Sequence, residues 1–365
     1  MFWPLHRFVH VTCLLLAGLL LAGCADTAYY WQSVSGHVKL MQAARPIEQW
    51  LASPQTPAHL RDRLLLAQSI RRYAVTDLHL PDNASYQRFA ELPGRYVVWN
   101  VVAAPELSLT LKTWCFPVAG CVGYRGYFDQ AEARALAGGL RAQGLEVSVY
   151  GVPAYSTLGW LNWAGGDPLL SSLIHDPDGE LARLMFHELA HQVLYVADDT
   201  AFNESFATAV ERLGLAQWLA AQATPAARAS HWQQAQRRGA FAALTRATRR
   251  QLALVYMEKR PAALDRPALL AMKNEVMRGF RAAYAELKKQ WGGYSGFDAW
   301  VAQANNAAFG AQAAYDDLVP GFEALFARQG RDWRRFYAAV RQLAKLPAPE
   351  RAGQLQQWAK EQQLG

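Results

Sequence analysis

Apolar and polar positions along the chain fall into four successive regimes. Near the N-terminus Val11 to Ala22 forms one apolar run, too short for a membrane-spanning helix, which needs about 20 residues. Helical spacing over residues 35–77 then predicts two helices, Val38–Leu51 and Pro57–Ala74, with Pro54 and Pro57 breaking the chain between them. Arg61, Arg63, Arg71 and Arg72 are expected on the wet side of the second. Residues 94–128 change character: Tyr96–Ala103, Leu107–Thr113 and Tyr124–Phe128 are rich in β-branched and aromatic side chains and predict short strands. Ala131–Ala142 predicts a helix closed at Gly144, and the alternation of Glu146–Val152 predicts another strand.

Beyond about residue 180 the period is almost wholly helical. The expected helices are Glu180–Val196 and Phe202–Ala221, then a long hairpin of Ala226–Lys259 and Arg266–Gln290. Gly292, Gly293 and Gly296 mark a loop. Shorter helices are expected at Phe297–Ala313, Gly321–Ala327, Asp332–Ala344 and Pro349–Gln363. The pattern predicts a mainly α protein with a small β-sheet in its N-terminal half. No repeat, linker or shift in composition marks a boundary, so residues 24–365 read as one domain.

The short apolar run changes the picture of where the protein works. Arg7 precedes it, and Leu21-Ala22-Gly23-Cys24 ends it, as in a signal peptide over residues 1–23. Small residues before a cysteine at that point resemble the bacterial lipobox, which implies that Cys24 is acylated and becomes the first mature residue. Ala25 after the cysteine favours the outer over the inner membrane by the same resemblance. The protein is then expected in the cell envelope, lipid-anchored and facing the periplasm. Cys13 is lost with the leader, leaving Cys115 and Cys121. Pro117 and Gly120 between them let the chain turn back, and an oxidising compartment favours a short-loop disulfide. A zinc pair competes with that reading, but two thiols with no second pair nearby make a poor structural site.

Composition adds limits. The chain has 365 residues, 52% apolar and 18% charged, which suffices for a large core and excludes global disorder. The net charge of +7 falls to +6 without the leader, and much of the excess sits at Arg228, Arg237, Arg238, Arg246, Arg249 and Arg250. A solvated helix face is the plainer reading of that cluster, and attraction to anionic lipid headgroups the other. Nucleic acid is not expected as a partner, because no recognition motif accompanies the charge.

The chemistry-bearing motif is Phe186-His187-Glu188-Leu189-Ala190-His191. Histidines four apart share one helix face, so both imidazoles can reach one metal ion. Glu188 stands about 100° round from His187, beside that ion, where it can take a proton from a metal-activated water. Burying three ionisable groups together with no purpose would be costly, which argues against an ordinary core helix. A third ligand is required, and Glu204 lies one turn inside the next expected helix, whose cap is Asp199 or Thr200. His187, His191 and Glu204 with an open fourth position form a catalytic zinc arrangement. Thr208 and Glu211 share the face of Glu204 and could orient the ligand histidines. Tyr155 and Tyr315 are candidates to stabilise a tetrahedral oxyanion.

His187–His191 with the glutamate of Asn203-Glu204-Ser205-Phe206-Ala207 resembles the gluzincin class of metallopeptidases. More narrowly the chain resembles the bacterial lipoproteins named putative aminopeptidases, over Trp114–Phe128, Tyr155–Trp160, Asp167-Pro168, the metal motif and Asn305-Asn306. The resemblance implies a zincin-like core, a zinc cofactor, a peptide substrate and aminopeptidase action. Asn305 and Asn306 are candidates to bind substrate backbone. A peptide of peptidoglycan would be one such substrate. The rival reading is a non-enzymatic envelope lipoprotein serving as a metal-stabilised binding scaffold, but a scaffold has no use for Glu188.

Overall fold

In the computed structural model of the chain, residues 27–116, 120–154, 165–257, 265–313 and 318–364 are described. Cys24, Tyr155 and Tyr315 lie outside them. The protein is mainly helical, with small sheets confined to its N-terminal half. The chain begins with α1 (27–43), β1 (Arg45–Pro46), α2 (Ile47–Ala52) and α3 (Ala58–Thr76). The single helix expected over Val38–Leu51 is therefore two. Pro46 disfavours the helical conformation at Arg45, and the pair is extended against β2 (Arg88–Ala90).

Three small sheets replace the one expected. β1 and β2 join β8 (Leu169–Leu170), while β3 (Val98–Pro105) is flanked by β6 (Arg125–Tyr127) and β7 (Leu145–Val152). A hairpin of β4 (Trp114–Phe116) and β5 (Gly120–Val122) pairs Cys115 with Cys121, and the two form the disulfide. The strand expected over Leu107–Thr113 is not formed. That segment touches β3 through Lys112 N–H to Ala103 O at 2.8 Å, while Leu109 and Leu111 pack into separate apolar clusters. Its alternation reflects packing rather than a ladder.

α4 (Gln130–Ala142), capped by Asp129 and followed by Gly144 at φ +80°, lays Ala133, Ala137 and Leu140 on the β3 sheet. The short α5 (Ser171–Ile174) leads to α6 (Asp178–His191) and α7 (Thr200–Gln222). These two helices, with α3, form the main core around Leu64, Ile70, Phe186, Phe202 and Phe206. α8 (Pro225–Met257) and α9 (Arg266–Gln290) form the long hairpin, which encloses a second core at Phe241, Met277 and Phe280. The helix expected over Phe297–Ala313 is broken into α10 (Asp298–Ala302) and α11 (Asn306–Ala313), because Asn305 Oδ1 accepts from Ala308 N–H at 3.0 Å and starts a new helix. α12 (Val319–Arg328), α13 (Trp333–Leu343) and α14 (Ala348–Leu364) complete the chain, and Phe322 and Phe336 pack their rings on Phe206 of α7.

The arginines of α3 are not idle on a wet face. Arg63 Nε donates to Ile174 O at 2.6 Å and its Nη1 pairs with Asp178, which fixes the start of α6. Among the described residues, no helix is long and apolar enough to cross a membrane.

Candidate metal centre

α6 ends at His191, five residues short of the helix expected to reach Val196. The cause is Asn203 on α7, whose amide captures the backbone of Val196 on both sides. Its Nδ2 donates to Val196 O at 2.7 Å and its Oδ1 accepts from Val196 N–H at 2.8 Å. A backbone held in this way cannot continue the helical ladder. The connection then turns through Asp198, at φ +63°, whose carboxylate accepts from Cys121 N–H at 2.6 Å. The disulfide hairpin is thereby tied to the turn between the two helices. Asp199 caps α7, accepting from Phe202 N–H at 3.0 Å, and its other oxygen takes Arg351 Nε at 2.7 Å.

This turn brings Glu204 against the two histidines. Nε2 of His187 lies 3.2 Å from Nε2 of His191, and Glu204 Oε2 is 3.3 Å from the first and 3.7 Å from the second. One donor atom of each residue fits within 4.8 Å of the other two. Donors bound at about 2.0–2.1 Å to one tetrahedral ion stand roughly 3.3 Å apart, so the spacing found could hold a single metal ion. The donor set, two imidazoles and a carboxylate, suits zinc and other first-row divalent ions.

The other side of His187 is fixed as well. Nδ1 lies 3.0 Å from Glu211 Oε2. A carboxylate only accepts, so Nδ1 carries a proton, and Nε2 is the nitrogen that offers a lone pair to the cluster once its own proton is displaced. Arg183 Nη1 holds the remaining oxygen of Glu211 at 2.9 Å, and Arg183 Nε holds Glu180 at 3.0 Å. Arg238 of α8 closes the series on Glu180 at 2.5 Å. His191 is buried, and its Nδ1 has no hydrogen-bond partner among the described residues.

Charge in this cluster is strongly perturbed. Burial works against the imidazolium of His187, yet its hydrogen bonds to Glu204 and Glu211 prevail and push its pKa up to about 10. Burial likewise opposes the Glu204 carboxylate, but the facing histidines hold it well below the usual range. Against the same penalty, Arg183 and His187 bring Glu211 down to about 2.

Glu188 is half-buried, and among the described residues its carboxylate makes no hydrogen bond or ion pair, although it acts electrostatically on His187, Tyr86 and Tyr124. Three tyrosines that the sequence did not single out as site candidates lie within electrostatic reach of Glu204. The phenols of Tyr124, Tyr150 and Tyr195 all feel its charge, and burial pushes each upward, so all three stay protonated. Tyr150 lies on β7, an edge strand of the described sheet.

Other expected residues have different surroundings. Thr208 is buried on α7 and makes no hydrogen bond to either histidine among the described residues. Asn306 is wholly buried: its Nδ2 donates to Pro105 O and Glu106 O at 3.1 and 2.8 Å, and its Oδ1 accepts from Tyr256 at 2.8 Å. Asn305 Nδ2 donates to Val147 O at 3.1 Å. These asparagines bind α11 to the sheet. The arginines of α8 are not simply a solvated face either, since Arg238 reaches Glu180 and Arg228 donates to Ala223 O at 2.6 Å. The spacing of Glu180, Arg183 and His187 along one face of α6 is the signal that could have revealed the polar series in advance.

Beyond Glu211 lies a cavity of about 1200 Å³ between β7, α7, α8 and α10. Arg183, Glu211 and Tyr150 are in its wall, whereas His187, His191 and Glu204 are not.

The family profile described as "Putative aminopeptidase" matches residues 28–355. No curated protein and no solved structure matches the chain.

Proposed function

The chain belongs to the putative aminopeptidase family, and from that premise we propose that it is a zinc-dependent peptidase with Glu188 as general base. The observation that carries this reading is the meeting of His187, His191 and Glu204 within 4.8 Å, next to a carboxylate that has no partner of its own among the described residues. His187, His191 and Glu204 would hold the zinc, which would supply Lewis acidity for activating water near neutral pH.

The residues of the chain divide the remaining work. Glu211 keeps the His187 proton on Nδ1, so that Nε2 presents its lone pair. Glu188 accepts the proton of the attacking water and returns it to the leaving amine. Tyr150 and Tyr124 stay protonated beside Glu204 and can donate to an oxyanion. Asn100 supports Tyr150 by hydrogen-bonding to its phenol oxygen, which leaves the O–H free to point elsewhere. Removal of single N-terminal residues is the action that the family name suggests. A scaffold role would give no reason for a Glu188 that has no partner among the described residues.

Metal analysis of the purified protein from Ala25 onward tests this. About one zinc per chain, lost in Glu204→Ala and kept in an inactive Glu188→Gln, is the expected result. A folded protein with no metal in any form would overturn the reading. Anchoring through a lipid on Cys24, facing the periplasm, is part of the same proposal. Cys24→Ser should move the protein from the membrane to the soluble fraction of a cell lysate and abolish incorporation of labelled palmitate.

A further inference from the structure

The cavity beyond Glu211 has a composition that limits what can enter it. Four arginines, Arg183, Arg212, Arg238 and Arg246, line it, against Glu211 as the one acidic residue among the described lining residues. Glu211 is already engaged by His187 and Arg183. An ammonium group entering here would meet positive charge and no available acid. A carboxylate would meet complementary charge. A guanidinium carries five N–H donors, so an arginine already bound to one carboxylate, as Arg238 is to Glu180, can still take a second.

The rest of the wall is aromatic. Trp99, Phe241, Phe297 and Trp300 line the interior, and Trp232, 66% exposed, is placed to form its rim. Two polar atoms of lining residues, His231 Nδ1 and Gln312 Oε1, are buried without a partner among the described residues. The volume of about 1200 Å³ exceeds that of ordinary small-molecule sites, which run to roughly 1,000 Å³. One side is the edge strand β7 at Ser148–Gly151, whose backbone can pair with an extended chain. Glu211 lines the cavity and lies 3.0 Å from Nδ1 of His187, so the cavity adjoins the metal cluster.

We propose that this cavity receives the carboxyl-terminal end of a short peptide, its bulky apolar side chain against the aromatic wall and its free carboxylate toward the arginines. The inference rests on the peptidase reading and adds a substrate class to it. The leaving side of the scissile bond enters the cavity, and the free amine stays outside it. Short peptides with an unblocked C-terminus are then preferred over their amides, and long chains lose that preference because their terminus lies elsewhere.

Calorimetric binding to the full-length Glu188→Gln protein tests this without turnover. The probes are the dipeptide Ala-Phe, its C-terminal amide and decanoate. Ala-Phe should bind about tenfold or more tighter than the amide, a difference of about 1.4 kcal/mol. Arg246→Gln, or Arg212→Gln should the first fail to fold, should bring the two within about threefold, while Trp232→Ala weakens both alike. Equal binding of acid and amide, or a gap that both arginine variants leave intact, would overturn the proposal. So would decanoate that binds more tightly than Ala-Phe and displaces it, since the cavity would then be a fatty-acyl site. The expected preference, found in a protein whose wild type hydrolyses no peptide, would uphold the cavity and sink the peptidase reading.

Discussion

Nδ1 of His187 lies 3.0 Å from Glu211, on the opposite edge of the ring from Glu204. The imidazole is thus held between two carboxylates, one that orients it and one that shares its ligand task. Orienting partners of this kind typically set metal affinity by 10–100-fold. Glu211→Gln keeps a hydrogen-bond acceptor but removes the charge, and Arg183 retains Glu180. We expect metal affinity, read by competition with a chelator, to fall about 10–100-fold, and the thermal midpoint of the metal-free protein to fall as well, because the same carboxylate pairs with Arg183 and His187.

The pKa of His187, pushed up to about 10, makes metal loading a proton exchange. At pH 7 the metal-free site holds a proton on Nε2 that zinc must displace. Binding should release about one proton per ion, seen as a dependence of the calorimetric heat on the ionisation enthalpy of the buffer. The stability of the chelated protein follows the opposite course. His187 is raised from 6.5, so its contribution is complete below 6.5 and is lost as pH climbs through about 10. Glu211 is lowered from 4.5, so its contribution is present above 4.5 and is lost as pH falls toward about 2. The thermal midpoint of the chelated protein should be highest between those limits, and a midpoint that rises steadily from pH 7 to 10 would contradict the pairing.

Tyr150 is the donor that the geometry favours for the oxyanion. The residue is exposed on an edge strand, yet its phenol pKa is shifted upward and the group stays protonated, with Asn100 as a hydrogen-bond partner and the charge of Glu204 within reach. Loss of one such donor costs about 10²–10³ in turnover. Tyr150→Phe should lower kcat by that amount with KM and zinc content little changed. A variant with full activity would pass the role to Tyr124 or Tyr195.

The parts of this site that were legible in the sequence are those set by local period. The face shared by His187 and His191 follows from helix geometry, and Glu204 follows from a short connection between two amphipathic helices. α9 lies on Arg266–Gln290, the range its pattern predicts, because Asp265 caps it and Gly292 and Gly293 take positive φ just past its end. The Cys115–Cys121 disulfide was legible for the same reason, six residues apart across a turn. What escaped the reading depends on contacts between distant segments. Tyr124 and Tyr150 come together only because β6 and β7 flank β3. Arg238 reaches Glu180 across 58 residues, so nothing in the local pattern of α8 distinguishes it from the other arginines of that helix.

The end of α6 shows how one such contact controls the site. Its apolar period continues past His191 through Val193 and Val196, yet the helix stops because Asn203 takes both backbone groups of Val196. That stop sets the path on which Asp199 caps α7 and Glu204 faces the histidines. Asn203→Ala frees a donor and an acceptor in a buried position, at a cost of about 1–3 kcal/mol for each group left unsatisfied. It also releases the connection that positions the third ligand. We expect a lower thermal midpoint and weaker zinc binding together, whereas Glu204→Gln weakens zinc binding without unpairing Val196. Hydrogen exchange separates the two: the Val196 amide should lose protection in Asn203→Ala and keep it in Glu204→Gln. Retained protection in Asn203→Ala would show that the turn holds itself, and that Glu204 owes its place to the packing of α7 alone.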